Sequence, residues 1–559
     1  MKRKSILRCA AILLTSTLLL SAAAQIAGIS PENQIFQFIT TETFTPTSDP
    51  SMRKTTATAY LWIPPACHRV RGVLVLGQNV PEQWLVGHPA IRAACTDCDL
   101  AIMIASPTFK MADVGGYSAG PNREGRDREH GEFVQQILSS LAAKSGYSEL
   151  ISAPWLPIGE SQHLVVPTAL TSGFPDRCIA GIQLKDGLWH GLRSAQVPFL
   201  VASGTAAEWD LPKQNIFTVW KTKATSDFNK HGTMRKDHPD WPGSLLIEGG
   251  SAHFSCTEAM AQFIALYIRS AAKARLSTDG SDNLRPINLD GGYVAGLPIP
   301  GATPLPPIRY KDCTPEQKGL PWYFDEACAK AAYDMANINW NAQSQLPVFA
   351  DASGQAIPFN PKGITGPLPI TMDDDGITFT LSAMFLDQLP EYFVEGGSAI
   401  GHAAGQPAIE WLCGPFIPLG NNRFQVALDR YARRPNGYVR VWHPGNETYR
   451  LSMNPGRIDL VANKAGKPQT ITFDAIADVK ASAKEILLHA TSDSGLPVRF
   501  FVLAGPAEIH GDRLVFTPVP ARSKMPLTVT VAAWQWGRAA EPAVQTAEIV
   551  ERSFNILPK

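Results

Sequence analysis

Between residues 55 and 285 the chain repeats one pattern, a short apolar run without polar alternation followed by a longer amphipathic stretch. The runs are residues 72–76, 100–105, 156–158, 178–184, 198–202 and 244–247. A strand with water on one face alternates, whereas a strand covered on both faces need not, so these runs predict buried strands. The spacers are long enough for the helical crossovers that parallel neighbours require. They also carry helical patterning: Phe133, Ile137 and Leu141 stand four residues apart, as do Met260, Ile264 and Ile268. The region is expected to be an α/β unit, a mostly parallel sheet with helices on both faces. Segment 115–128, rich in glycine and charge, is expected as a surface loop that roofs a site.

At 559 residues the chain exceeds what one core supports and predicts several domains. Its 50 basic and 50 acidic residues cancel, leaving no field of one sign to recruit nucleic acid or an anionic membrane. Neither is expected as a partner. The first 24 residues read as a signal peptide: Lys2, Arg3, Lys4 and Arg8 precede an apolar stretch from Ala10 to Ala23, and Ala22, Ala23 and Ala24 form a small-residue cleavage site. That stretch is too short to span a membrane. The mature chain is expected to start near Gln25 and to be secreted or periplasmic. Without Cys9 eight cysteines remain, an even number that predicts some disulfides in an oxidising compartment. Cys95 and Cys98 form a Cys-x-x-Cys pair with no second pair to complete four metal ligands, and His190, His231 and His238 lack helical ligand spacing. No metal and no cofactor is expected, and His231 and His238 are assigned to a mobile surface loop.

Chemistry concentrates in the run 154–163, which ends Gly159-Glu160-Ser161-Gln162-His163. A serine at the end of a buried strand, lifted by a strained turn into a following helix, is a nucleophile elbow. Such a serine needs a base for its proton and a group that orients the base and stabilises its cation. Both types follow in order: Glu208 and Asp210 lie in the loop after run 198–202, and His253 follows run 244–247 in a small-residue loop. Taken singly, the serine also suits a helix cap and the histidine a satisfied core position. His163 replaces a second glycine, and Pro167 removes a backbone donor early in the following helix.

Over residues 55–285 the sequence resembles the α/β-hydrolase superfamily, in particular secreted bacterial esterase-like members. The likeness rests on Gly159 to His163, on Phe174-Pro175-Asp176-Arg177 and on Gly250-Ser251-Ala252-His253-Phe254. It implies Ser161 as nucleophile, His253 as general base, and Glu208 or Asp210 as the acid, with Glu208 preferred because it stands four residues before Pro212. It implies an oxyanion hole from the backbone N–H of Gln162 and one from Gly77-Gln78-Asn79. The implied reaction is carboxylic ester hydrolysis through an acyl-serine, on a small-molecule or glycan ester. The alternatives are a non-catalytic secreted binding or adhesion protein on the same scaffold, and a serine peptidase.

After residue 287 the composition shifts. The proline-rich stretch 296–307 reads as an extended linker or a surface strap. The expected division is 1–24 signal peptide, 25–287 α/β unit, 288–312 linker, and two β-sandwich-like domains, 313–465, β-rich with one helix at 324–336, and 466–559. Strands are expected at 376–381, 422–426 and 437–442, then at 470–473, 485–491, 498–503, 513–517, 527–533 and 545–550. Asp373 to Gly376 reads as a turn, because the later glutamate of a calcium loop is absent. Stretches 469–478, 494–500 and 527–533 resemble the immunoglobulin-like modules of bacterial secreted proteins, which implies a fold and no chemistry. Trp534 and Trp536 suit either a sugar-stacking face or a sandwich core.

Overall fold

The computed structural model describes residues 36–48, 52–106, 123–185, 195–205, 211–300, 303–359, 367–430 and 436–558. The expected signal peptide, positions 115–122 of the expected roof, His190, Glu208 and Asp210 lie outside the described residues.

Eight strands form one sheet: β1 (Phe38–Phe44), β2 (Thr55–Trp62), β3 (Gly72–Gly77), β4 (Leu100–Ser106), β5 (Trp155–Glu160), β6 (Gly181–Leu184), β7 (Phe199–Gly204) and β8 (Gly243–Glu248). Their spatial order is β1-β2-β4-β3-β5-β6-β7-β8. The β1/β2 and β2/β4 pairs are antiparallel, and every pair from β4/β3 to β7/β8 is parallel. The apolar runs are buried along their whole length because the pleat sends successive side chains to opposite covered faces. Leu74, Leu76, Ile102 and Ile158 pack with helices α1 (Val80–Gly87) and α2 (Pro89–Asp97). Val73, Val75 and Met103 pack on the other face with α3 (Arg123–Ser145) and α4 (Val165–Gly173). Helix α5 (Val219–Asp237) packs against β7 and β8, and α6 (Glu258–Arg275) lies on the α1 side.

The helices that follow the adjacent strands β3 and β5 therefore lie on opposite faces. Chains diverging in this way open a crevice at the strands' carboxyl ends, where open α/β sheets bind ligands.

Several expectations are corrected. Positions 123–128 continue helix α3, stitched by the His130 Nδ1–H bond to the Arg126 carbonyl at 2.9 Å. His231 is buried inside α5 against the ring of Trp241, and only His238, at the helix end, is exposed. None of the eight described cysteines is disulfide-bonded: six are buried at separate places in the cores. The proline-rich stretch is paired, not a free linker. Strand β9 (Tyr293–Gly296) pairs with β10 (Leu305–Arg309) and with β11 (Trp322–Tyr323). The Tyr323 hydroxyl donates to the Leu245 carbonyl and the Ser244 hydroxyl to the Trp322 carbonyl, each at 2.6 Å. This small sheet thus caps the exposed end strand of the large one.

The remainder is β-rich. A three-stranded antiparallel sheet joins Ala408–Cys413, Asn436–His443 and Ser452–Asp459, and the expected helix forms as α7 (Glu326–Asn337), capped by Asp325 on the Cys328 N–H at 2.9 Å. Asp373 to Gly376 closes a turn through a 2.9 Å backbone bond. Beyond residue 466 the strand expected at 545–550 runs instead from Val550 to Leu557, because residues 543–547 first bond across to 463–467 and 535–538. One pair there is parallel, Val479–Lys480 with Val550–Leu557. Trp534 and Trp536 are buried. Apolar contact runs on across residues 287 and 465: Phe349, Trp411 and Val439 join the α1 side of the α/β core, and Phe473, Val529 and Phe554 join the α3 side.

Two buried histidines give the fold a pH response. Burial pushes His130 down to about 4, and burial with the neighbouring Arg235 charge pushes His231 down to about 3. Unfolded histidines take up protons near 6.5, so this stability is complete above that pH and is lost as pH falls toward the folded values. Thermal melts of the full chain from pH 7 to pH 4 should show a falling midpoint. His231→Asn should flatten the dependence by about one bound proton.

Candidate active site

Strand β5 ends at Glu160, and Ser161 follows with φ of +52°, a left-handed conformation that costs a non-glycine residue on the order of 1–3 kcal/mol. The chain then turns tightly through Ser161–Leu164 before α4. A side chain at Gly159 would collide with the His163 carbonyl and approach Pro167 Cδ to 2.7 Å. The close passage of strand and helix is therefore provided at Gly159, which leaves position 163 free to carry a histidine. Pro167 comes third in α4, where the N–H it lacks would have had no partner within the helix.

His253 reaches this turn from the loop after β8. Its Nε2 stands 2.8 Å from Ser161 Oγ, with the histidine fully buried and the serine 8% exposed. The Glu160 carboxylate lies beside them: Oε1 is 3.3 Å from His253 Nε2, and Oε2 accepts from Asn79 Nδ2. A carboxylate so placed favours the imidazolium that forms when the serine gives up its proton. Glu82, buried in α1, accepts from the Glu160 backbone N–H at 3.1 Å and from His163 Nδ1 at 3.2 Å.

The candidate oxyanion residues flank the same point. Gln162 lies in the turn immediately after Ser161, its side chain exposed. Gln78 and Asn79 follow β3, the neighbour of β5. Asn79 caps α1 through the Val80 N–H at 3.0 Å, and the Gln78 side-chain carbonyl accepts from the Ser106 hydroxyl. Their side chains thus hold the loop, and a contribution to an oxyanion would come from the backbone.

The histidine loop is held at both ends by a buried ion pair. Lys185, just past β6 with φ of +61°, donates to Glu248 Oε2 at 2.7 Å and to the Ser251 hydroxyl. Glu248 also accepts from the Thr257 N–H at 3.1 Å and from its hydroxyl. Burial works to raise the Glu248 carboxyl, but the Lys185 ammonium and these hydrogen bonds outweigh it and hold the group below the usual range. The β-rich segment buttresses the loop from outside. Arg440, paired with Glu410, donates to the Cys256 carbonyl, and Tyr438 packs against Phe254 at 5.3 Å between ring centroids.

Similar solved structures include a poly(3-hydroxybutyrate) depolymerase from Bordetella parapertussis (12% identity over 41% of this chain and 88% of that one, TM-score 0.28). Others are an esterase from Pyrobaculum calidifontis (10%, 43% and 88%, TM-score 0.28) and an S-formylglutathione hydrolase from Agrobacterium tumefaciens (12%, 42% and 94%, TM-score 0.25). At these scores the likeness carries no argument about what this chain does. No family model matches the chain, and no curated protein matches its sequence.

Sequence reasoning passed over Glu160, although it stands inside the quoted motif, and over Lys185 and Glu248, which directly follow or end predicted strands. Glu82, Tyr438 and Arg440 carried no sequence signal, since their relation to the site is purely spatial. The ion pair makes a direct prediction. Lys185→Met leaves Glu248 buried without its cation and should cost about 3–5 kcal/mol at pH 7. The bare carboxyl would then titrate above its unfolded value, so the deficit should shrink as pH falls and the group protonates. Unfolding midpoints of both proteins at pH 7 and pH 5 read this directly.

Proposed function

We propose that this protein is a serine hydrolase of carboxylic esters, with Ser161 as nucleophile and His253 as general base. The observation that carries the reading is the 2.8 Å contact between Ser161 Oγ and His253 Nε2 at a strained strand-to-helix turn. A binding protein has no use for a left-handed serine within hydrogen-bond reach of a buried imidazole. In the proposed cycle His253 takes the Ser161 proton as the oxygen attacks the ester carbonyl, and returns it to the leaving alcohol. Water then repeats the sequence on the acyl-serine. The Gln162 N–H and one from the Gln78–Asn79 peptides stabilise the oxyanion, and Glu208 or Asp210 orients the imidazole.

The apolar cluster of Val80, Phe254, Leu412 and Tyr438 beside His253 favours an ester with an uncharged acyl group. The N-terminal sequence favours action outside the cytoplasm, on small-molecule esters or acylated glycans.

A fluorophosphonate probe should label the purified wild type and fail to label Ser161→Ala or His253→Ala. Ester turnover in either variant should fall by a factor on the order of 10⁴ or more. A folded wild type that takes no label would overturn the reading. Glu160→Gln tests the carboxylate beside the base: kcat/KM should fall about tenfold or more while the fold is retained, read from ester turnover and the thermal midpoint.

A further inference from the structure

Arg450 differs from two other buried guanidinium groups, Arg440 and Arg235. Arg440 is neutralised by Glu410 at 2.9 Å, and Arg235 donates to the carbonyls of Pro239, Trp241 and Lys318. Arg450 is 5% exposed, its guanidinium carbon lies 3.8 Å from the Trp220 ring centroid, and its Nη2 donates to Thr205 Oγ1 at 3.3 Å. Its Nη1 is buried with no hydrogen-bond partner, and among the described residues no carboxylate pairs with it. Burial alone pushes its pKa down to about 9, so the side chain still carries its charge at neutral pH.

The group borders a cavity between the α/β unit and the β-rich segment, lined chiefly by Thr205, Ile216, Val219, Trp220, Leu346 and Met453. The centre of a water-sized sphere can move through about 30 Å³ of it. Roughly 10–15 Å³ on that measure holds one water, so the space takes two waters or one halide, and it is too small for an acyl chain. Water needs two to four polar partners. Two of the nearby donors are already committed, Ser344 Oγ to the Ile216 carbonyl at 2.7 Å and Asn454 Nδ2 to the Pro347 carbonyl at 2.6 Å. A monatomic anion needs only the charge that is there, and a buried cation without a counter-charge is strongly disfavoured.

We propose that Arg450 holds a buried halide-sized anion at the seam between the β-rich segment and the loops after β7 and β8. The site is tied to the histidine loop through Thr205, whose Oγ1 accepts from both Arg450 Nη2 and the Gly250 N–H, the latter at 2.8 Å. The anion therefore stabilises that loop as well as the seam.

The test is thermal unfolding of the full chain at constant ionic strength, with sodium chloride replacing sodium gluconate, whose anion is too large for the cavity. The wild-type midpoint should rise relative to Arg450→Met, by about 1 °C per tenfold chloride above half-saturation. Equal chloride responses in the two proteins overturn the proposal. If Arg450→Met does not fold, wild-type crystals grown in bromide decide it. An anomalous peak in contact with Arg450 Nη1 supports the site, and ordered water or a carboxylate of the chain itself in that place overturns it.

Discussion

The buried pair of Lys185 and Glu248 fixes the geometry on which the candidate site depends. It spans the ends of β6 and β8 across β7, with side chains 0% and 4% exposed, and its spare hydrogen bonds go to Ser251 and Thr257. Those two residues bracket His253, so one ion pair sets both ends of the loop that carries the imidazole. The arrangement also explains why β7 ends in Gly204: a side chain there would collide with the Ser251 carbonyl and lie 3.2 Å from Lys185 Nζ. A buried pair of this kind is not in itself a source of stability, since desolvation offsets much of the attraction. Its effect is positional, because a flexible glycine-containing loop is given one place relative to Ser161.

The nucleophile side has its own polar support. Glu82 holds the Glu160 backbone and His163, while Asn79 caps α1 and reaches the Glu160 carboxylate. The turn after β5 is thereby tied to the loop after β3, the neighbouring strand at the crevice. Two carboxylates, Glu82 and Glu160, are fully buried here, each within reach of a histidine. The strain at Ser161 is sustained by this surrounding network, as over-determined backbone outliers are.

The β-rich half is part of the same support. Arg440 fixes the Cys256 carbonyl, Tyr438 packs at a tilt against Phe254, and the Leu451 carbonyl lies so close to Gly250, at φ of +78°, that no side chain fits there. Near the other end of the chain, Arg522 donates to the His68 carbonyl at 2.8 Å and its backbone N–H to the Tyr147 hydroxyl at 3.1 Å. The histidine loop is thus packed against a part of the chain roughly 200 residues further along the sequence.

The sequence by itself determined the layered α/β architecture and brought Ser161 and His253 into view. Unbroken apolar runs allow only strands covered on both faces, and strand ends are where such sheets present functional side chains. It also marked some strands of the β-rich half, such as those at 422–426 and 437–442, but gave no sign of Ala408–Cys413 or Ser452–Asp459 and set the last strand too early. Tertiary structure decided the rest. His231 reads as a loop residue until α5 folds it against Trp241, positions 123–128 read as a loop until α3 extends through them, and the proline-rich stretch reads as a linker until its two ends pair in the small sheet of β9, β10 and β11. The cysteines read as disulfides until burial at separate places leaves six of them apart. Glu160, Glu82, Lys185, Arg440 and Arg450 gain their meaning only from partners far along the chain. Local pattern records which face of an element is apolar, whereas hydrogen-bond and charge partners are fixed by packing, which no local window contains.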